Sequence, residues 1–278
     1  MAIKIVTDST CDLPVAVIDK YDLTVVPMYI HMGGQSFLDG IEITREEFYR
    51  QLPKHDPPPT TATPGKDAFI QSYQKLADQG ATEILSLHIS AELSAVVDVA
   101  RMAAKEVESV PVTVIDAQQL SLGTGFLVET AAKAAAEGRP KAEIIRLLDE
   151  QIERTYVFAA LDTLEFLRRS GRLNGVIAGI GSLLKVKPIL HMHAGKATSQ
   201  RVRTSERALT YLVDKMHELE PFERVALVHT HAPERAESLR QRVLPLLPIE
   251  EIPSVDITPV IGAHIGPGAI GFAVIVSR

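Results

Sequence analysis

Hydroxyl side chains recur in this sequence where apolar runs stop. "IKIVTD" (3–8) runs into Ser9 and Thr10. "KHDPPPTTATPG" (54–65) delivers Thr60, Thr61 and Thr63 to the start of a helical pattern. "TEILSLHIS" (82–90) ends at Ser90, with Ser94 shortly after, and "VPVTVID" (110–116) ends at Asp116, followed by Ser121. A helix start offers unpaired N–H groups and the positive end of its dipole. Hydroxyls added there suit a small anion, a carboxylate or a phosphate, although each alone is equally an ordinary N-cap. Near the other end of the chain, "GAHIGPGAIGF" (262–272) sets His264 in a glycine- and proline-rich stretch. It reads as an elbow before the last strand, with backbone that can pass close to a ligand and point one imidazole in a fixed direction.

Other chemistries find less support. No G-x-x-x-x-G-K-[ST] run exists, "GTGF" (123–126) lacks the third glycine of a dinucleotide fingerprint, and G-x-S-x-G is absent. "HMH" (191–193) and "HTH" (229–231) put histidine pairs on one face of a strand, but no carboxylate or cysteine stands at partner spacing, so no metal is expected. "LRRSGRLN" (167–174) brackets Ser170 and Gly171 with Arg168, Arg169 and Arg172, and "KVKPIL" and "QRVRT" add Lys185, Lys187, Arg201 and Arg203. This is either a solvated basic helix end or a patch that docks an acidic or phosphorylated partner.

The elements that must position these residues follow from periodicity. In the first half, strands at 3–8, 23–30, 82–90 and 110–116 alternate with helical patterns, which implies a parallel, Rossmann-like sheet with helices on both faces. "TREEF" (44–48) opens a helix with a capping box, and "TPGKDAFIQSYQKLADQG" (63–80) reads as a helix capped by Thr63. The second half mixes hairpin and helix: "ILHMHAGKATSQRVR" turns at Ala194-Gly195, "VIAGIGSLLKVKP" is read as an apolar helix, and "EEIPSVDI" and "GFAVIV" read as strands. The expected architecture is an α/β domain over 1–155 and an α+β domain with a mixed sheet over 156–278. Net charge is −6, which sets nucleic acid aside as a partner. One cysteine, Cys11, rules out an internal disulfide and favours a reducing compartment. With no signal-peptide pattern and no apolar window long enough to span a bilayer, the expectation is a cytoplasmic protein.

Taken in order, these motifs resemble the DegV family of bacterial fatty-acid-binding proteins. "IVTDSTCDLP", "TTATPG", "HISAELS", "VIDAQQLSLGTG", "LEFLRRSGRLN", "KVKPIL" and, most specifically, "GAHIGPGAIGF" are similar to family segments across nearly the whole chain. The resemblance implies two domains with a long-chain fatty acid buried between and beneath them. Its carboxylate would be held by Thr61, Ser94 and His264, with Ser90, Thr63, Ser121 and Gly266 as further contacts. It implies no cofactor beyond the bound fatty acid and no catalytic residue of the protein's own. A separate ATP-dependent fatty acid kinase would convert the presented acid to an acyl phosphate, with Arg172, Arg201 and Arg203 as docking candidates. The reading leaves room for transient contact with a membrane. The chain departs from the family pattern at Ala62, Gly65, Ala95 and Val96, where hydroxyls or glycine are usual, which thins the hydrogen-bond set. Two rival readings remain at this stage: a Ser/His-dependent hydrolase or transferase, and a lipid-sensing regulatory subunit.

Overall fold

The computed structural model describes residues 2–172, 186–247 and 251–278. Strands β1 (Ile3–Asp8), β2 (Thr24–Val26), β6 (Glu83–His88) and β7 (Val112–Asp116) form a parallel sheet in the order β2-β1-β6-β7. Side chains alternate across a strand, so Leu85 and Leu87 face one side and Ile84, Ser86 and His88 the other. The first side packs on helices Leu122–Ala136 and Lys141–Ile152 through Leu127, Val128, Ile144 and Leu148. The second side packs on helices Lys66–Asp78 and Val96–Ala104 through Phe69, Tyr73, Val97 and Ala100. Helices cover both faces, as parallel pairing requires.

A second sheet of six strands carries the rest of the chain. It contains β8 (Thr155–Ala160), β9 (Lys187–His193), β10 (Lys196–Val202), β11 (Phe222–His229), β12 (Ser254–Asp256) and β13 (Ile270–Val276), ordered β10-β9-β8-β13-β11-β12. All pairs are antiparallel except β11 with β12, so the sheet is mixed. The hairpin at Ala194-Gly195 forms as read, both residues adopting positive φ. One face packs Phe158, Ile189, Phe272 and Val274 under helices Ser205–Leu219 and Pro233–Val243. The other face, with Val157, Met192, Ala226 and Val228, looks toward the parallel sheet's carboxyl end.

Several local expectations are corrected. The run 23–30 is not one strand: Pro27 supplies no N–H for a ladder, and the chain leaves β2 for a separate antiparallel sheet. That sheet comprises β3 (Tyr29–Met32), β4 (Gln35–Leu38) and β5 (Thr60–Ala62), with β3 in the middle. The end of the proline loop is therefore a strand, because β-branched Thr60 and Thr61 pair with His31 and Ile30. Thr63 is not a helix cap; the Lys66–Asp78 helix starts after Gly65 with no side-chain cap. Ser94 precedes the next helix, whose N-cap is Ala95, instead of lying within it. The presumed elbow at 262–266 is a helix, Pro259–Ile265, capped by Thr258 and stopped at Gly266. Thr44 does cap its helix by accepting from the Glu47 N–H. The expected helix 176–188 falls largely on residues outside those described.

The two large sheets are joined by polar groups buried behind Pro259–Ile265. Asp12, in left-handed backbone after β1, has a fully buried carboxylate. It accepts from the Ser121 hydroxyl at 2.6 Å and the Thr258 N–H at 2.8 Å, and pairs with Arg45 at 3.1 Å. Thr258 in turn donates its hydroxyl to Asp39, Tyr49 donates to the Ile257 carbonyl at 2.9 Å, and Arg45 reaches the Asp256 carbonyl. Burial pushes Asp12 up to about 6, against the pull of the Arg45 charge. Leaving a buried hydrogen-bond donor without its acceptor costs about 1–3 kcal/mol. Asp12→Ala is expected to lose stability on that scale in urea unfolding, and Asp12→Asn less, since the amide oxygen still accepts. Equal stability of Asp12→Ala and the parent would show that the clamp holds nothing.

Candidate ligand-binding site

Pro259–Ile265 explains its own glycines. A Cβ at Gly262 would lie 2.2 Å from the Tyr49 hydroxyl, so only glycine lets this helix press against the Arg45–Gln51 helix. Gly266 has φ of 77°, and a Cβ there would meet the Phe166 ring at 2.4 Å. With both contacts fixed, the helix presents His264 toward β5. Thr61 Oγ1 and His264 Nε2 lie 2.8 Å apart, although 203 residues separate them in sequence. Among the described residues His264 Nδ1 is buried with no hydrogen-bond partner. Burial first, and then the nearby Arg172 charge, push the imidazole down to about 4, so the ring is neutral at ordinary pH.

The Thr61–His264 pair lies on the wall of a cavity. Thr10, Thr63, Ser94 and Arg172 line the same cavity, together with Met28, Ile89, Leu93, Leu120, Leu190 and Val260. The space free of protein atoms is about 710 Å³, part of it open to solvent. It adjoins a second chamber, where the space free of protein atoms is about 520 Å³ with open solvent included, and Leu93, Leu120, Leu190, Ile261 and Ile265 border both. The second chamber is walled by Val157, Ala159, Met192 and Ala197 of the six-stranded sheet with Val228 and Ile257. Two adjoining chambers, the first lined by several polar side chains and the second almost wholly aliphatic, suit an amphiphile with a small head and a long hydrocarbon tail.

The residues named from sequence divide accordingly. Thr61, Thr63, Ser94 and His264 all line the first chamber, and of these Thr61 and His264 are in hydrogen-bond contact. Ser94 Oγ also accepts weakly from the Val96 N–H at 3.4 Å. Ser90 is buried, accepts from the Glu92 N–H and does not line the cavity. Ser121 borders the second chamber, but its hydroxyl already donates to Asp12. Gly266 shapes the helix end and lines neither chamber. Arg172, read as a docking residue, lines the cavity mouth, its guanidinium donating to the Ser170 carbonyl at 2.7 Å. Arg201 and Arg203 are exposed, on edge strand β10 and just past it; Lys185 lies outside the described residues. Thr10, on the cavity wall, was not singled out as a contact, and its hydroxyl is engaged by Asp8.

One constellation has the form of a catalytic relay without its access. Ser86 Oγ lies 2.7 Å from His88 Nε2, and His88 Nδ1 lies 3.0 Å from Asp8 Oδ2. All three side chains are fully buried, and Ser86 also bonds the Tyr73 hydroxyl at 2.8 Å. Burial opposes the Asp8 charge, yet hydrogen bonds from His88 and Thr10 outweigh it and hold the carboxyl below its ordinary value. With no opening to substrate, this row braces β1 against β6 and the Lys66–Asp78 helix. The paired histidines also have structural partners: His191 stacks on Phe158 with ring centroids 4.2 Å apart, and His229 Nδ1 accepts from the Ala232 N–H. Among the described residues no cluster of metal-ligating side chains occurs.

Comparison with known proteins agrees with this architecture along the full chain. The family model described as "Uncharacterised protein, DegV family" matches residues 2–277. A DegV domain-containing protein of Streptomyces coelicolor is 34% identical over 98% of both chains, and one from Listeria innocua is 32% identical over 97% of this chain and 96% of its own. Among solved structures, a DegV family protein from Thermus thermophilus, described with fatty acid binding, superposes with a TM-score of 0.91 at 34% identity over 100% of both chains. DegV of Bacillus subtilis, described as a fatty acid binding protein, gives 0.90 at 28% identity over 100% of both. No described helix is long and apolar enough to cross a membrane. From the match over residues 2–277 and these relatives, the chain belongs to the DegV family.

Proposed function

We propose that this protein binds a long-chain fatty acid, with the carboxylate at Thr61, Ser94 and His264 and the tail in the two aliphatic chambers. In this reading residues 1–155 and 156–278 are the two lobes and the ligand lies between them. The observation that carries it is the Thr61–His264 pair on the wall of a largely aliphatic cavity, on a fold shared with fatty-acid-binding relatives. A neutral imidazole carries one ring hydrogen. Placed on Nε2, it donates to Thr61 Oγ1 and leaves the threonine hydroxyl hydrogen for the carboxylate. Each buried methylene contributes about 0.8 kcal/mol, so the tail supplies most of the affinity and the head group fixes the register. Nothing in this arrangement needs a nucleophile, so the protein acts as a carrier. The carboxylate at the mouth is presented to a separate ATP-dependent kinase for acyl phosphate formation, with Arg172 beside it and Arg201 and Arg203 available for docking.

Organic extraction of the purified protein followed by mass spectrometry should yield fatty acid, and delipidated protein should take it up again; recovery of none and uptake of none would refute the carrier reading. A hydrogen bond to a charged group contributes about 1.5–3 kcal/mol, so Thr61→Val should weaken binding about ten- to a hundredfold. Titration calorimetry on the folded variant measures this, and unchanged affinity removes Thr61 from the head-group site. In a reconstituted kinase assay, Arg201→Ala and Arg203→Ala should keep fatty-acid affinity and reduce acyl phosphate formation; full turnover in both would leave them no docking role.

The depressed His264 value sets a pH dependence. As pH falls, the unfolded chain takes up this proton at the ordinary value of 6.5 and the folded ligand-free chain only near 4. Its contribution to stability is therefore whole above 6.5 and is lost between 6.5 and about 4. A carboxylate beside the ring favours the imidazolium, so fatty acid should raise the His264 value. Imidazole proton shifts followed by NMR with and without ligand test this, and an unmoved titration would separate the ring from the head group.

A further inference from the structure

The second chamber is the part of the cavity that the head-group argument leaves unexplained. Its floor is the inner face of the six-stranded sheet. Opposed residues of an antiparallel pair share a face, so Ala159 stands beside Leu190 on that face, and Val157 beside Met192, with Ala197 next to Met192 on the far side. Among these residues Ala159 joins Leu190 and Ala197 in being only half-buried. It belongs to β8, hydrogen-bonded on both sides by β9 and β13, and its neighbours Val157 and Phe158 are buried, yet Ala159 retains accessible surface. In a strand with no free edge, that surface belongs to the chamber it borders. The same holds for Leu190 on β9, which is also flanked on both sides and borders both chambers. The sheet thus offers a methyl-sized floor at Ala159, where a larger side chain would stand in the cavity. His191 is also among the residues lining this chamber, although its ring stacks on Phe158, in the core of the opposite face.

We propose that Ala159 sets the longest acyl tail this protein accepts, with Ala197 on the edge strand bounding the same chamber. The inference rests on the fatty-acid reading of the cavity and extends it to selection by length. An alkyl tail whose head is fixed at Thr61 and His264 can extend only as far as the chamber is empty. A branched side chain at position 159 occupies that space and excludes the terminal methylenes, each worth about fourfold in affinity. A shorter tail that ends in the first chamber does not meet it.

The test is a ladder of saturated fatty acids from decanoate to stearate, measured by calorimetry on delipidated parent protein and on Ala159→Leu, with thermal unfolding as the fold control. The expected result is unchanged affinity for the shortest acid and a progressive loss toward stearate, about fourfold per excluded methylene. Should Ala159→Leu fail to fold, Ala159→Val and Ala197→Leu are to show the same length-dependent loss in smaller measure. An equal loss at every length, or none at any, overturns the assignment while leaving fatty-acid binding intact. Parent protein that binds no member of the ladder overturns the carboxylate reading and this one together.

Discussion

A carboxylate without contact to water must be met by hydrogen bonds on every side, or it destabilises the fold that encloses it. Three separate parts of the chain converge on Asp12: the Ser121 hydroxyl from just after β7, the Thr258 N–H from just after β12, and Arg45 from the helix between β4 and β5. Everything that positions the site follows from this convergence. Thr258 is the cap of the helix that carries His264, so fixing Thr258 fixes where that helix begins. Tyr49, pressed against Gly262 and bonded to Ile257, sets how far the helix stands from its neighbour. The direction of one imidazole is thus determined mainly by groups that never touch a ligand.

The same principle separates the two histidine–hydroxyl constellations in the molecule. In one, Ser86 and His88 are closed in by Phe69 and Tyr73, and every donor meets an acceptor inside the protein. In the other, Thr61 and His264 stand at a cavity wall, and the imidazole keeps an unmatched nitrogen. Similar residues in similar hydrogen bonds are closed off or left facing a cavity according to whether space lies beside them.

Much of the architecture was legible in the sequence, because alternating β-branched strands and amphipathic helices leave a strong periodic signal. The parallel sheet, its two covered faces and the Ala194-Gly195 hairpin all follow from that signal. The three-stranded sheet was not legible: its strands are three or four residues long, and β5 hides behind three prolines, where composition suggests a loop. The Pro259–Ile265 helix was missed for a related reason. Gly262 within it and Gly266 at its end read as an elbow that passes close to a ligand, whereas one accommodates Tyr49 and the other Phe166, contacts that no local pattern encodes. At the site, the hydroxyl types were visible but their allegiance was not. Ser121 reads as a further contact for a ligand, yet Asp12, more than a hundred positions away, takes its hydrogen.

The Thr61–His264 contact also bears on how the protein comes into being. Its two halves are separated by 203 positions, and Asp12 meets Thr258 across 246. Contacts of such sequence separation are slow to form, because the loop they close must first be ordered. A nascent chain can complete the parallel sheet while the ribosome is still making the second half, since domains fold as units during synthesis. It cannot complete the wall of the cavity until the Pro259–Ile265 helix has emerged. Any ligand bound there stabilises only the finished protein, so occupancy of the cavity favours the full-length fold over every truncated form.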